Sequence, residues 1–376
     1  MDLKQVFDSR NNALNAWRLA LAVGVVFWHS WVLSGHPIQH VMAQRLLGEV
    51  FVDGFFALSG FLITASWLRR PSLRAYWVAR SLRIFPGLWV CVIVTAFAIA
   101  PIGVAIAHGS PARLFSSSGP FEYVLNNGAF NANYAGIDGT PTGVPVAGVW
   151  NGSLWTLFFE MLCYLMIAVL GVTGLLKRRW TLPVLFVVMW CWSAYISYPT
   201  DPTQTFPQVI ARFTLMFLAG AVIYQFSNII PARWSLVTLS LAIVVAAGLI
   251  QNYRVLGAVP LAYAVIVSGA LLKKPQLNLR HDLSYGVYIY AFPIQQLLII
   301  CGLASLTPWL FFVLATAAIL PVAALSWFLV EQPALSLKKR FEQESATPHG
   351  RHARLPRRSR RRTQVSDPAQ PTAGTP

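Results

Sequence analysis

The sequence predicts an all-α protein, a polytopic membrane helical bundle with about ten transmembrane helices. Charged residues make up 11% of the chain and hydrophobic residues 56%, whereas a soluble domain carries roughly 25% charged residues. Apolar runs of about 20 residues, the length that crosses a hydrocarbon core, recur from residue 14 to residue 330. No stretch before residue 336 is polar and long enough to form a soluble catalytic domain. We therefore expect one membrane domain at residues 1–340 and a tail at residues 341–376.

Each predicted helix is an apolar run that stops at a polar connection. The first follows the charged segment 2–10 and has no small-residue cleavage site, so we interpret it as a retained span and not as a cleaved signal peptide. Basic connections follow the second, fourth, sixth and eighth helices, and a long polar connection follows the third. The predicted helices are residues 14–34, 50–68, 84–107, 153–176, 181–198, 208–227, 235–251, 255–272, 283–301 and 307–330.

The distribution of lysine and arginine predicts the orientation. An even number of helices places both termini on one side, and the opposite connections hold few basic residues beyond Arg45, Arg113 and Arg254. Because an excess of lysine and arginine marks cytoplasmic loops, we expect a multi-pass protein of the cell (inner, cytoplasmic) membrane with both termini in the cytoplasm. Besides the tail, the basic residues on that side are Arg69, Arg70, Arg74, Arg80, Lys177, Arg178, Arg179, Arg233, Lys273, Lys274 and Arg280.

The tail carries much of the net charge of +16, since ten of the 29 basic residues lie between Lys338 and Arg362. Residues 341–376 contain no apolar run, so we expect them to be disordered. Their basic block suits the anionic headgroups of the lipid bilayer. Beside a multispanning domain, the bilayer is the expected partner of this block and nucleic acid is not.

The longest predicted connection, residues 108–152, is nearly free of charge. It is rich in glycine, asparagine, serine, threonine and proline, as in NNGAFNANYAGIDGTPTGVP, and the predicted orientation places it outside the cell membrane. Long connections in compact domains are usually functional, and an uncharged, amide-rich surface with Phe and Tyr suits polar neutral ligands such as sugars. A floppy loop is the alternative.

Ionisable residues inside predicted spans are costly to bury and are therefore functional candidates. They are Arg18, His29, Asp53, Glu160 and Arg212. Arg18 and His29 share one helical face at an axial separation of about 16 Å. Taken alone, Arg18 suits a snorkelling flank residue and His29 a satisfied interfacial histidine. The four cysteines have no metal-ligand spacing, so we expect no metal site and no disulfide.

Glu160 is the predicted partner of His29. Counting from the outer helix ends, His29 lies about 8 Å deep and Glu160 about 10 Å deep. Groups at similar depth can pair, which removes the cost of burying either one alone. A carboxylate that orients an imidazole also raises its basicity, as a general base requires. Two unrelated buried polar groups are the alternative.

Arg80 and Arg83 stand three residues apart, on one face of the third predicted helix at its cytoplasmic mouth. Paired guanidinium groups at a membrane boundary suit phosphate recognition. They suit the positive-inside rule equally well, and the residues alone do not separate the two interpretations.

Six segments of the chain resemble motifs of the acyltransferase-3 family and follow one another in the family's order over about residues 14–340. The first helix matches the family's arginine–x10–histidine pattern with Arg18 and His29, and ARSLRIFP supplies paired arginines before Pro86. Each motif is weak alone, but six in order on ten predicted spans are specific. Many relatives carry a histidine where this chain has Ala291, so we assign that position no role. The other similar segments are VDGFFALSGFLI (52–63), SLWTLFFEMLCYL (153–165), SYGVYIYAFPIQQ (284–296) and FLVEQPALSLKKR (328–340).

The resemblance implies a membrane-bound O-acyltransferase. Its acyl group, acetyl by default with succinyl as the alternative, would move from cytoplasmic acyl-CoA to a hydroxyl of an extracytoplasmic polysaccharide or glycolipid. Acyl-CoA is then a donor substrate, and no permanently bound cofactor is expected. The implied catalytic residues are His29 and Glu160. The residues expected to bind acyl-CoA are Arg18, Arg80 and Arg83, and those expected to bind substrate are Asp53, Tyr285 and Tyr288.

Two alternatives remain at this point. Some relatives append an extracytoplasmic hydrolase-like domain that helps to finish the transfer, whereas this chain ends in a basic tail, so it would transfer alone or with a separate partner. A transporter or flippase for a glycolipid or organic acid could use the same buried arginine, histidine and glutamate without any chemistry.

Overall fold

A computed structural model describes residues 1–131, 134–196 and 204–337. The regular secondary structure in these ranges is helical, which confirms the predicted all-α membrane bundle. The predicted tail at residues 341–376 lies outside the described ranges.

Ten apolar helices form the bundle in the described part of the chain, and each overlaps one predicted helix. Seven are long and apolar enough to cross a bilayer, and three (α5, α7 and α9 below) are shorter. Two of the long helices contain a π-helical turn, Thr95–Ile99 in α3 and Trp327–Glu331 in α10. The helices are α1 (Leu14–Leu33), α2 (Val41–Arg69), α3 (Leu73–Ile106), α4 (Trp155–Val172), α5 (Thr181–Tyr195), α6 (Phe206–Gln225), α7 (Trp234–Ala247), α8 (Arg254–Leu271), α9 (Ser284–Ile300) and α10 (Pro308–Leu337).

Helices α2 and α3 begin earlier than the hydropathy predicts. The side chain of His40 accepts a hydrogen bond from the amide of Ala43 at 3.5 Å and caps α2. Ser72 caps α3 in the same way, accepting from the amide of Ala75 at 3.4 Å. Because a capping side chain satisfies an otherwise unpaired amide, both helices extend beyond their apolar runs. Arg45 is therefore helical, where the sequence predicted a connection.

The connections between helices gather at two ends of the bundle. What we call the basic end holds the connections after α2, α4, α6 and α8, with most of the lysine and arginine. There the amide of Ala13, before α1, donates to the carbonyl of Gly269 in α8 at 2.9 Å. What we call the loop end holds the long connection between α3 and α4. It also holds the starts of α2 and α8, where Arg254 contacts Glu49.

Helices α2 and α6 touch backbone to backbone through two glycines. A Cβ atom on Gly60 would lie 1.8 Å from the carbonyl oxygen of Phe217, and one on Gly220 would lie 1.8 Å from that of Ala57. Small residues at such positions allow close helix approach in membranes. The contact fixes the position of α2 relative to α6 and brings their polar side chains together.

The connection between α3 and α4 is packed onto the loop end. It contains two short helices, Pro111–Phe115 and Gly119–Gly128. Trp150 is fully buried, and its Nε1 donates to Oγ1 of Thr140 at 2.9 Å. Gln296 of α9 donates to the carbonyl oxygens of Val146 and Val149 at 2.7 and 2.8 Å. Across its described residues, this connection is therefore a structured cap and not a floppy loop.

Candidate functional site

Asp282 joins two of the predicted arginines at the basic end. Its Oδ2 lies 2.9 Å from NH1 of Arg18 and 2.7 Å from NH2 of Arg83. Its Oδ1 accepts from the amide of Ser284 at 3.2 Å and from the Ser284 hydroxyl. Burial alone would raise the pKa of the Asp282 carboxyl, but the guanidinium groups of Arg18 and Arg83 outweigh burial and lower that pKa to about 2. We refer to these three charged residues as the arginine cluster.

Asp282 was not predicted from the sequence. It lies in the connection between α8 and α9, which the sequence places among the basic segments because of Lys273, Lys274 and Arg280. A local signal was available, since an aspartate that precedes a helical serine by two residues commonly binds the first amides of the helix.

Arg80 and Arg83 contact different helices, although both were predicted on one face of α3. Arg83 lies 3.8 Å from Glu331 of α10 and over the rings of Tyr285 and Trp327. Arg80 donates to Oγ of Ser66 in α2 at 3.2 Å and lies over the rings of Tyr76 and Tyr164. The Nε of Arg80 is buried and makes no hydrogen bond. Together with Arg18, the two arginines put three guanidinium groups at this end of the bundle.

A small cavity of about 50 Å³, the Glu160 cavity, continues from the arginine cluster into the bundle. Arg18, Ser59, Tyr285 and Glu160 are among its lining residues. Oε1 of Glu160 accepts from the hydroxyls of Ser59 at 3.2 Å and Tyr164 at 2.5 Å. The Tyr285 hydroxyl donates to the carbonyl oxygen of Ile84 at 2.7 Å. The predicted carboxylate therefore lies in the cavity next to the cluster.

A second cavity of about 180 Å³, the His29 cavity, lies on the loop-end side of the first. His29, Trp28, Ser153 and Arg212 help to line it. The His29 ring stands edge-on to Phe292 with centroids 5.1 Å apart. Its Nδ1 is buried and has no hydrogen-bond partner in the structure. An unpaired buried nitrogen costs free energy, which favours a functional role for His29 over the alternative of a satisfied interfacial histidine.

Three residues line both cavities: Val52, Thr156 and Tyr288. The hydroxyls of Thr156 and Tyr288 are hydrogen-bonded at 2.5 Å, and each also lies 3.1 Å from the carbonyl oxygen of Ser153. We call the Thr156–Tyr288 pair the partition, because it separates the two cavities. His29 and Glu160 lie on opposite sides of it. Among the described residues no hydrogen bond joins these two side chains, so the predicted pair is not in direct contact.

Asp53 lines neither cavity. It is completely buried, and its two oxygens accept from Nε of Arg212 at 2.8 Å and Nε of Arg254 at 2.6 Å. The hydroxyl of Tyr253 donates to it at 2.5 Å. The structure thus places this predicted substrate-binding residue behind Arg212, which it holds against the His29 cavity.

Two members of this charged group were missed by the sequence prediction. Arg254 was assigned to a connection, but it is the first residue of α8 and is only 1% exposed, because Asp53 and Glu49 both contact it. Glu49 lay outside the predicted second helix, and the early start of α2 brings it into the bundle. Its spacing of four residues from Asp53 on one helix face was the available signal. Glu49, Asp53, Arg212 and Arg254 are referred to below as the buried quartet.

Comparison with known proteins adds an independent finding. The family profile described as an acyltransferase domain, Acyl_transf_3, matches residues 11–328. The chain is 31% identical over 351 residues to Nodulation protein 10 of Rhizobium leguminosarum bv. viciae, covering 88% of this chain and 94% of that protein. It is 29% identical over 338 residues to the O-acetyl transferase of Shigella phage Sf6, covering 86% of this chain and 96% of that protein. No solved structure matches the chain.

Proposed function

This chain belongs to the acyltransferase-3 family and is a multi-pass membrane O-acyltransferase, and from that premise we propose the donor, the acceptor and the residues of the reaction. The donor is acyl-CoA, with acetyl as the default group and succinyl as the alternative. The acceptor is a hydroxyl of an extracytoplasmic polysaccharide or glycolipid. The protein lies in the inner membrane of the cell with its basic end and both termini in the cytoplasm. The name of the phage relative, an O-acetyl transferase, supports the acetyl group.

One observation carries this proposal: polar side chains line two adjoining cavities, separated by the partition, between the arginine cluster and His29. Arg18 belongs to both the cluster and the lining of the Glu160 cavity. Tyr288 lines both the Glu160 cavity and the His29 cavity. Ionisable side chains are costly inside a bilayer, so their presence there marks a pathway or a site by default. An arrangement of this kind suits an extended donor that enters at one end and reacts near the other.

The arginines at the basic end suit the phosphate groups of the donor. Arg18 and Arg83 both contact the carboxylate of Asp282, and Arg80 lies on the same helix as Arg83, with its own contacts to Ser66 and Tyr164. Guanidinium groups bind phosphate oxygens in the same forked geometry as carboxylate oxygens. The narrow pantetheine arm, which is uncharged, would then extend through the Glu160 cavity and carry the thioester to the partition.

His29 suits the role of general base at the reacting hydroxyl. The acceptor hydroxyl would donate its proton to His29, and its oxygen would attack the thioester carbonyl carbon. A C–O bond forms, the C–S bond breaks, and the coenzyme A thiolate leaves and takes up a proton. Glu160, across the partition, would stabilise the positive charge that develops on the imidazole. Arg212, which lines the same cavity, would bind the acceptor, and Tyr285 and Tyr288 would border the thioester.

The experiment is acyl transfer by the purified full-length protein in detergent. We expect the His29→Ala and Glu160→Gln variants to lower ester formation by about 100-fold or more, the typical contribution of general base catalysis. Release of free coenzyme A thiol and mass spectrometry of the glycan measure the two products. Normal yield and melting temperature of both variants exclude misfolding.

Two matched variants serve as controls. His36→Ala removes a histidine bonded to Ser34, outside both cavities, and Glu122→Gln changes a carboxylate of the connection between α3 and α4. Both should retain activity. Turnover of His29→Ala or Glu160→Gln within about twofold of wild type, a barrier change under 1 kcal/mol, removes that residue from the mechanism. Glycolipid movement without thiol release would instead show a transporter.

A further inference from the structure

A third cavity, of about 420 Å³, lies at the loop end and shares no lining residue with the two cavities of the bundle. Its walls are the end of α3, the connection between α3 and α4, and the last residue of α9, Ile300. We call it the loop cavity. Its polar lining residues are Ser110, Arg113, Ser117, Asp138, Thr140 and Thr142.

The lining of the loop cavity selects one chemical class of ligand. One carboxylate and one guanidinium leave it without net charge, which disfavours an ion as ligand. Of its four hydroxyl groups, those of Ser117 and Thr140 already bond within the protein, and those of Ser110 and Thr142 would lose hydrogen bonds to water against an apolar ligand. Val104 and Ala107, which are partly or fully exposed, add apolar surface beside these groups. A neutral molecule with many hydroxyls and apolar faces, which is a saccharide, matches all three properties.

Asp138 is the strongest acceptor in this lining. A carboxylate can accept several hydrogen bonds at once, and the Ser117 hydroxyl uses part of that capacity. Hydrogen bonds from hydroxyls to a carboxylate are stronger than those between neutral groups. A saccharide with adjacent hydroxyls would therefore bind most tightly at this residue.

The loop cavity and the His29 cavity are neighbours along the chain. Trp150 lines the first, while Gly152 and Ser153 line the second. The Asn151 amide between them donates to the carbonyl oxygen of Ile289 at 2.9 Å, which fixes this segment on α9. On α9, Phe292 touches His29 and Ile300 lines the loop cavity, a separation of about 12 Å along the axis. One sugar residue cannot occupy both cavities, whereas an oligosaccharide can.

We propose that the loop cavity is a saccharide subsite, which holds a part of the acceptor glycan adjacent to the residue that is acylated at His29. The inference rests on the proposed function, because the loop cavity would be a second binding site for the same acceptor glycan. It makes the enzyme selective for chain length, since an oligosaccharide gains contacts at Asp138 that a single sugar at His29 lacks.

The test compares acceptors of two sizes. Neutral glycan is released by mild acid from the envelope of the producing cells and separated into monosaccharide and oligosaccharide fractions. Purified full-length protein is given radiolabelled acetyl-CoA and each fraction, and ester formation yields kcat and KM. Wild type should show the lower KM for oligosaccharides. The Asp138→Asn variant should raise that KM about tenfold, the loss expected for one charge-assisted hydrogen bond, and so remove most of the preference.

Glu122→Gln is the matched control, because Glu122 lies on the same connection and accepts from Ser118 at 2.6 Å but does not line the loop cavity. It should keep the wild-type preference. Ester formation with equal oligosaccharide KM in wild type and Asp138→Asn overturns the subsite alone. Absence of ester from every fraction with the wild type overturns the proposed function and the subsite with it.

Discussion

Asp282 shows, at the scale of single residues, how one carboxylate holds two cationic side chains. It holds Arg18 of α1 and Arg83 of α3 on the same oxygen while Ser284 fixes its other oxygen. Its lowered pKa has a defined consequence for stability. The pKa of the Asp282 carboxyl in the folded protein lies below the value of about 3.9 in an unfolded chain. Its contribution to the free energy of unfolding is therefore complete above about pH 4 and is lost as pH falls towards about 2. Changes of activity between pH 5 and 8 therefore do not originate in this carboxylate.

Coenzyme A binding should show whether Arg80 and Arg83 hold the donor or serve topology alone. We expect Arg80→Ala or Arg83→Ala to weaken binding by about 1.5–3 kcal/mol, the value of one hydrogen bond to a charged group. Lysine at either position should restore only part of the lost affinity, since the lysine side chain lacks the guanidinium fork. Calorimetry with coenzyme A measures the affinity, and Arg179→Ala, an exposed arginine at the same end, is the control. Unchanged affinity in the Arg80→Ala, Arg83→Ala double variant would assign both residues to topology alone.

The partition should limit wasteful hydrolysis. Tyr288→Phe and Thr156→Val each remove one hydroxyl of the 2.5 Å contact with little change of shape. We expect acetyl-CoA hydrolysis without acceptor to rise about fivefold, equivalent to one neutral hydrogen bond of about 1 kcal/mol. A thiol reagent measures the coenzyme A released. Tyr290→Phe, at a buried tyrosine of the same helix that lines neither cavity, should leave hydrolysis unchanged. An equal rise in Tyr290→Phe would show general loosening of α9.

At the scale of helices, the contact between α2 and α6 is the one that tolerates least change. A Cβ on Gly220 would overlap the backbone oxygen of Ala57, so Gly220→Ala must push the helices apart. Overpacking of this kind costs about 1–3 kcal/mol, and we expect a lower melting temperature in detergent. The control is Ala246→Ser, which also adds one heavy atom but at an exposed position of α7. Equal melting temperatures for the two variants would show that the helices separate without cost.

The existence of the helices could be predicted from the sequence, but their charged ends could not. Apolar length alone identified all ten, because a bilayer requires runs of that length. The early start of α2 escaped prediction because Glu49 and Arg45 interrupt the apolar pattern. Glu49 becomes tolerable there only through Arg254, some two hundred residues away along the chain. Such pairings depend on tertiary contacts, which local periodicity does not contain.

The candidate site could be predicted only in part from the sequence. Each predicted residue except Asp53 reaches a cavity or the arginines at the basic end, because a buried charge is informative by itself. The partition between His29 and Glu160 was not predictable from their matching depth. Depth along two helices says nothing about the side chains of a third, and it is Tyr288 of α9 that lies between them.

At the scale of the whole molecule, the two ends of the bundle should label from opposite sides. Cys301 follows α9 at the loop end and is exposed, whereas Cys91 and Cys163 are buried. In a variant that keeps only Cys301, we expect a membrane-impermeant maleimide to react in intact cells. A second variant with Lys274→Cys as its sole cysteine, at the basic end, should react only after permeabilisation. The reverse pattern would invert the proposed orientation.

The buried quartet has an electrical consequence. Among the described residues, its two carboxylates and two guanidinium groups cancel within one group of contacts. The transmembrane voltage therefore exerts no net force on these four residues, although a single charge crossing the bilayer would exchange about 2.3 kcal/mol per 100 mV with the field. In the proposed reaction the acetyl group is likewise uncharged, and the anionic phosphates of coenzyme A would stay at the basic end. The proposed reaction would therefore transfer an acetyl group across the membrane without moving charge, and its turnover would be the same in an energised and a depolarised cell.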